Sequence, residues 1–413
     1  MHQSSPFMAY RLPYGKFQQE DVEALKTMAQ AGINFVSIST MNTCNSLGEA
    51  YSNYPSLWKY YDQYDFSGLD RQIQDVLAVN PNARFICTVD LNSPHWLARQ
   101  LGMDSFYDLG NCACNHKWKE LTTKFMCAFL EYSESLYADI IEGYVLAGGK
   151  TMEWIDHNAQ AAGLDKSGNY AKWCKSNGIE ILSIPRADEL STCKEGFVRD
   201  PETDMHIIQW SRYVNSIPVD IVIHFIARAR QLVRKEAQIG MFFGHVFHML
   251  CEGQNEAERV FEECPPDFVI GAACNSKPVI GGGSGYIATL KMIQRRGVKY
   301  LHECDRITSS GNLKLNEYIT LNNGIWNSWK NPREDIAGLK REMAMCLINQ
   351  FHVWWFNIWG QCYASPEVQA FLPEMKQIWD EYISLSSGSN AEILLVHDPE
   401  SNYHVNPYNH PIQ

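Results

Sequence analysis

Two glutamates stand where apolar runs give way to polar residues. In "GYVLAGGKTMEW" (143–154) the run turns on a glycine pair and then sets Glu153 between Met152 and Trp154. In "YLHECDRITS" (300–309) a second run ends on Glu303, with Asp305 two residues on and Arg306 beside it. Two facing carboxylates are the minimum equipment for cleaving a glycosidic bond with retention. One, protonated, donates to the leaving oxygen, and the other, ionised, attacks the anomeric carbon; the expected separation is about 5–5.5 Å. The surroundings divide the roles. Met152 and Trp154 favour a neutral Glu153, with Lys150 the one evident cation, and this makes Glu153 the acid/base. Arg306 and His302 favour an ionised Glu303, the nucleophile. Taken singly, a glutamate after a strand is more often a helix-capping partner or a surface acid, so their joint placement carries the argument.

That placement comes from one rhythm along the chain. Apolar, β-branched or aromatic runs recur at 7–12, 33–40, 83–90, 141–149, 239–244, 267–274, 298–305 and 352–359. Between them lie stretches of helical periodicity, such as "EDVEALKTMAQAG" ending on Gly32 and "REDIAGLKREMAMCLINQ". Continuous apolar strands alternating with helices imply a parallel sheet covered on both faces, and eight such units imply a closed (β/α)8 TIM barrel. An open doubly wound sheet is the rival, but no strand-glycine-helix phosphate fingerprint follows an early strand. Barrel enzymes carry their chemistry at the C-terminal ends of the strands. Glu153 follows the fourth strand and Glu303 ends the seventh, about half a barrel apart.

Composition narrows the partners. With 413 residues, 45% hydrophobic and 20% charged, the chain is globular. Its net charge of −12 and the lack of a Lys/Arg run argue against nucleic acid and anionic membrane. No apolar run approaches the roughly 20 residues that cross a bilayer. "MHQSSPFMAY" lacks a basic-then-apolar leader pattern, so a cytoplasmic protein is expected. Thirteen scattered cysteines suit reduced, buried thiols. Cys112, Cys114 and His116 have zinc-ligand types without a standard spacing, so no metal and no cofactor are expected.

With these residues in place, the chain resembles the clan A retaining glycoside hydrolases, and within them the family 42 type β-galactosidases and the related family 164 type β-mannosidases. The resemblance runs from about Tyr10 to Ser401. It rests on "YDFSGLD" (64–70), "SPHWL" (93–97), "GYVLAGGKTMEW", "FFGH" (242–245), "HECDRIT" (302–308) and "WWFNIWGQCYASPE" (354–367). It implies an exo-acting β-glycosidase for terminal β-galactosides or β-mannosides, with Glu153 as acid/base and Glu303 as nucleophile. Asp305, Arg306, Trp355, Asn357, Trp359, His245, Asn92 and Trp96 become candidates for binding substrate. There are two departures. Met152 stands where the clan usually has an Asn for the sugar 2-hydroxyl. The strand-six tyrosine lacks a counterpart, leaving His302, Asn275 or Tyr286 to take its place.

Sugars stack their C–H faces on aromatic rings, and alternation along strand eight must split Trp354, Trp355, Phe356 and Trp359 between the barrel interior and the helices; Trp355 or Trp359 is expected near the ligand. His245 and His248 read as a packed or supporting pair. The insert 169–210 is too long for an ordinary strand-to-helix loop and is expected over the active-site face. The barrel is assigned to 1–386. Residues 387–413 are read as a linker and the first strand, 391–401, of a truncated flavodoxin-like second domain, which in the resembled family mediates trimers. The alternative from another class is a catalytically silent carbohydrate-binding barrel, for which the two glutamates would lie far apart. A metal-dependent barrel hydrolase would need the His-x-His that strand one lacks.

Overall fold

The computed structural model describes residues 7–12, 19–43, 52–192, 198–246, 252–272, 280–282, 285–311, 328–357, 360–385, 392–393 and 396–406. Its eight barrel strands are β1 (Met8–Arg11), β2 (Phe35–Thr40), β5 (Arg84–Asp90), β6 (Ile141–Ala147), β7 (Gln238–Phe242), β8 (Phe268–Ala272), β9 (Lys299–Cys304) and β10 (His352–Phe356). They close in the order β1-β10-β9-β8-β7-β6-β5-β2, every pair parallel. Strands β3 (Trp58–Tyr60) and β4 (Gln63–Tyr64) form a separate hairpin after β2. Each of the eight runs read from the sequence is a barrel strand, so the (β/α)8 expectation holds.

Alternation along the strands makes two cores. Ala9, Ile86, Val145, Phe242, Ile270, Leu301 and Trp354 pack inside the barrel, while residues such as Val36, Cys87, Tyr144, Met241, Cys304 and Trp355 face the helices. Helices start where the sequence offers an acceptor followed by proline. Asp200-Pro201, Asn331-Pro332 and Ser365-Pro366 open the helices Pro201–Ala229, Pro332–Asn349 and Pro366–Tyr382, each cap side chain accepting an N–H of the first turn. Among the described residues, no helix is long and apolar enough to cross a membrane.

Two segments differ from their sequence reading. The long insert is helical, with Leu164–Ser176 and Ala187–Ser191 packing on the first half of Pro201–Ala229 around a core of Tyr170, Cys174, Leu190, Trp210 and Tyr213. The described residues of 391–401 form no strand. A 3-10 turn at Pro399–His404 docks on the barrel instead: Tyr403 is buried, Arg212 pairs with Glu400, and Val405 bridges Val198. Ile393 and Val396, the apolar residues that suggested a buried strand, are exposed.

Candidate active site

Glu303 lies one residue from the end of β9, on the inward face. Its Cα partner on β10 is Trp354, and its side chain is buried. Burial first, then the charges of Asp305 and Glu153, push its carboxyl well above the ordinary range, with the Arg11 guanidinium opposing. This overturns two expectations: the site favours the protonated form of Glu303 over the ionised one, and the cation beside it is not the one expected. The cation acting on Glu303 is Arg11, whereas Arg306 and His302 turn to Glu342 on the neighbouring helix, at 3.6 and 2.9 Å. His302 follows strand alternation, facing the helices because Glu303 faces in. Arg11 comes from the end of β1, buried, its guanidinium lying over the rings of Trp354 and Phe356 at 5.8 and 5.6 Å. Asp305 is buried beside Glu303 and pushed up to about 6, by burial first, with Arg306 and His302 opposing.

Glu153 arrives by a different device. After β6 the chain passes through Gly148 and Gly149 into a tight loop in which Thr151, Met152 and Trp154 all hold left-handed backbone, at φ 55°, 69° and 57°. Such angles are uncommon away from glycine and cost on the order of 1–3 kcal/mol each where they occur. Clamps on both sides hold the loop. Asn92, buried at the end of β5, donates to the Gly149 carbonyl at 3.0 Å and accepts from the Gly149 N–H at 2.9 Å. Gln254, also buried, donates to the Glu153 carbonyl and accepts from the N–H groups of Gly244 and His245 at 2.9 Å each. Trp154 is buried with its indole N–H on the Leu146 carbonyl at 2.9 Å. Past the loop, Asp156 meets buried Lys166 at 3.6 Å and accepts the Gly110 N–H. The Glu153 side chain is half-buried, and its charge is felt at Glu303.

The other predicted residues divide. Asn92 is committed to the loop backbone and to Ser105, so it positions Glu153 instead of presenting an amide to a ligand. Asn357 is spent on Tyr10, Asp21 and the Cys362 N–H, which fastens the end of β10 to the first helix. Trp355 faces the helices, and Trp354, in register with Glu303, is the strand-eight tryptophan turned inward. Its indole N–H is buried without a partner. Trp96 packs on Trp58, Tyr60 and Tyr61 of the β3–β4 hairpin and donates to the Trp58 carbonyl. His245 is buried against the Ile270 carbonyl at 3.0 Å, and burial holds its pKa down at about 4. Tyr286 stacks edge-on against His302, on the helix side of β9. Trp359, Asn275 and His248 lie outside the described residues.

The thiols of Cys112 and Cys114 do not converge: Cys112 is buried near Ser93, and Cys114 contacts the Tyr213 hydroxyl at 3.5 Å. Among the described residues, no cluster of His, Cys, Asp or Glu is arranged to hold a metal ion. Arg11, Thr151 and Gln254 are site residues that the sequence reading missed. For Arg11 a signal existed, since a charge at the end of the apolar run "FMAYRL", two residues after inward Ala9, must face the mouth.

The fold and its paired acids define a (β/α)8 barrel with an acidic centre at the C-terminal ends of its strands. No protein-family model and no curated protein matches the chain. Solved structures match it in shape. The catalytic domain of a β-amylase from Paenibacillus polymyxa aligns with TM-score 0.56 and 12% identity over 92% of this chain and 99% of that one. A β-galactosidase from Bacillus circulans sp. alkalophilus aligns with TM-score 0.56 and 11% identity over 92% and 58%. A family 42 β-galactosidase from G. stearothermophilus aligns with TM-score 0.53 and 10% identity over 97% and 60%. The chain therefore spans about three-fifths of the length of these β-galactosidases. At such identities the likeness shows the barrel fold.

Proposed function

We propose that this chain is a retaining β-glycosidase acting on terminal β-galactosides or β-mannosides, with Glu303 as nucleophile and Glu153 as acid/base. The observation that carries the reading is that glutamates from the fourth and seventh strands are brought close enough for the charge of one to act on the other. That two of the solved structures named above are β-galactosidases supports it. Positions favour the roles. Glu303 is fixed on a rigid strand, buried beneath the mouth beside the inward Trp354 ring, where the anomeric carbon of a seated sugar would lie. Glu153 is part-exposed on a loop, as a group must be that meets first a leaving group and then a water.

In the first step a Glu303 oxygen bonds to the anomeric carbon as the glycosidic C–O bond breaks, and the Glu153 proton goes to the departing oxygen. In the second, Glu153 takes a proton from water, the water oxygen bonds to the anomeric carbon, and the Glu303 carboxylate leaves with its electron pair. The pair thus works with one proton between them, and the strong hold of the free site on a proton at Glu303 is the demand of burial that Arg11 opposes. Chromogenic aryl β-galactosides, β-mannosides and β-glucosides test the reading. Turnover of at least one is expected, abolished in Glu303→Gln, with azide rescue and a β-azide product in Glu153→Ala. Azide rescue of Glu303→Ala with retention, or no turnover of any of the three, counts against it.

A further inference from the structure

Thr151 is an unsuited residue in a demanding place. Its backbone is left-handed at φ 55°, a region that β-branched side chains avoid and that Gly or Asn would enter at lower cost. Its neighbours Met152 and Trp154 share the strain, and each has a packing reason to be there: Met152 is buried with Met41 and Ala147, and Trp154 fills the space beside Gly148. Thr151 is only part-buried, so burial of its methyl group does not account for it.

Its hydroxyl does more. The Thr151 Oγ1 lies 2.7 Å from the Lys150 carbonyl oxygen and in hydrogen-bond contact with Glu153 Oε2. A hydroxyl carries one proton, and a carbonyl oxygen can only accept. With Glu153 ionised, the hydroxyl can donate to Lys150 O or to Glu153 Oε2 but not to both, and the other contact sets two lone pairs against each other. If Glu153 carries the proton, it donates to Thr151 Oγ1, and both contacts become hydrogen bonds.

We propose that Thr151 is a proton-holding residue: its hydroxyl, donating to the Lys150 carbonyl, accepts the proton borne by Glu153 Oε2 and so favours the acid form of that side chain. The inference rests on the reading of Glu153 as acid/base and names what keeps it loaded between turnovers. The charges around Glu153 are consistent with the task. Glu252, from the segment after β7, brings negative charge to it, and Glu303, from β9, does so when ionised. Lys150 and Asp156 lie on its own loop, with Lys150 engaged to His157 at 3.0 Å. Glu252 and Glu303 act in the same direction as Thr151, and Lys150 acts against it.

The test needs no turnover. In protein labelled with [δ-13C]glutamate, the carboxyl resonance missing from Glu153→Gln identifies Glu153, and its titration midpoint is followed by NMR. Thr151→Val keeps the branched shape and deletes the hydroxyl; the midpoint is expected to fall by about half a pH unit to one unit, the worth of one hydrogen bond. Thr151→Ala should shift the same way, and Thr151→Ser should restore the wild-type midpoint. A midpoint that rises or stays put in Val and Ala variants overturns the proposal, because the hydroxyl would then donate to an ionised Glu153 or do nothing. So does a Ser variant that behaves like Val. Failure of the acid/base reading shows elsewhere, as full turnover in Glu153→Ala, and leaves this titration to stand or fall separately.

Discussion

Replacing Asn92 by Ala should release the Glu153 loop while the barrel stays folded. The Asn92 amide makes three hydrogen bonds with oxygen and nitrogen partners, to the Gly149 carbonyl at 3.0 Å, from the Gly149 N–H at 2.9 Å and from the Ser105 hydroxyl at 2.9 Å, and a weaker fourth to Met152 Sδ at 3.5 Å. At about 0.5–1.5 kcal/mol net each, the clamp contributes roughly 1.5–4.5 kcal/mol. Against it stand three non-glycine residues in left-handed backbone, on the order of 1–3 kcal/mol apiece. The two sums are comparable, so losing the clamp should let the strained turn relax locally. Amide exchange reads this directly. The N–H groups of Lys150 and Trp154, bonded to Ile155 O at 3.0 Å and Gly148 O at 2.7 Å, should exchange about 10- to 10³-fold faster in Asn92→Ala. Amides in β9 and β10 should change far less, and turnover should drop because Glu153 no longer holds its place. Exchange at Lys150 and Trp154 within twofold of wild type would refute the reasoning.

Two further outcomes follow from charges around Glu303. Removing the cation in Arg11→Met leaves burial, Asp305 and Glu153 unopposed, so Glu303 should hold its proton to higher pH. The acidic limb of kcat/KM on an aryl glycoside should then move up in pH, and a downward shift contradicts the role given to Arg11. Glu342 is buried; burial pushes it up, but the His302 hydrogen bond, the His302 and Arg306 charges and Arg341 bring it down to about 2. A carboxyl lowered on folding stabilises above its ordinary pKa and loses that contribution as pH falls toward 2. Glu342→Gln should therefore cost about 3–5 kcal/mol near pH 7 by urea unfolding, with the gap to wild type closing below about pH 4.5. A gap constant with pH would mean that Glu342 acts by shape alone.

The eight strands were legible because a parallel strand covered on both faces needs an unbroken apolar run, and each such run is one barrel strand. Their ends were less so: 141–149 reads as continuous, yet Gly148 and Gly149 already belong to the turn that delivers Glu153. The tryptophans of strand eight show what a run of aromatics hides. Parity alone decides which ring faces in, and with Trp354, Trp355 and Phe356 all large and apolar, either parity satisfies composition. Pairing with β9 decides it, since Trp354 stands opposite Glu303 and so shares its face. Asn92 and Gln254 were opaque for another reason. Their roles come from backbone groups of a strained loop, and no spacing in the sequence announces that Thr151, Met152 and Trp154 take left-handed angles. At the C-terminal end, "AEILLVHDPES" has the hydropathy of a buried strand, but the contacts come from its polar end and from the residues just beyond it: Pro399 and Asn402 with Asn255, Glu400 with Arg212, and Tyr403 with Glu256.

The central claim is that Glu303 forms a covalent bond to sugar across from Glu153. It is tested most directly by incubating the protein with 2-deoxy-2-fluoro β-galactosyl, β-mannosyl and β-glucosyl fluorides and mapping any adduct by peptide mass spectrometry. These reagents slow the second step more than the first and leave the glycosyl ester standing. The account predicts a single added fluorosugar on the peptide that carries Glu303, absent from Glu303→Gln. An adduct on Glu153, or turnover of an aryl glycoside with inverted product and no adduct from any of the three fluorides, would contradict it.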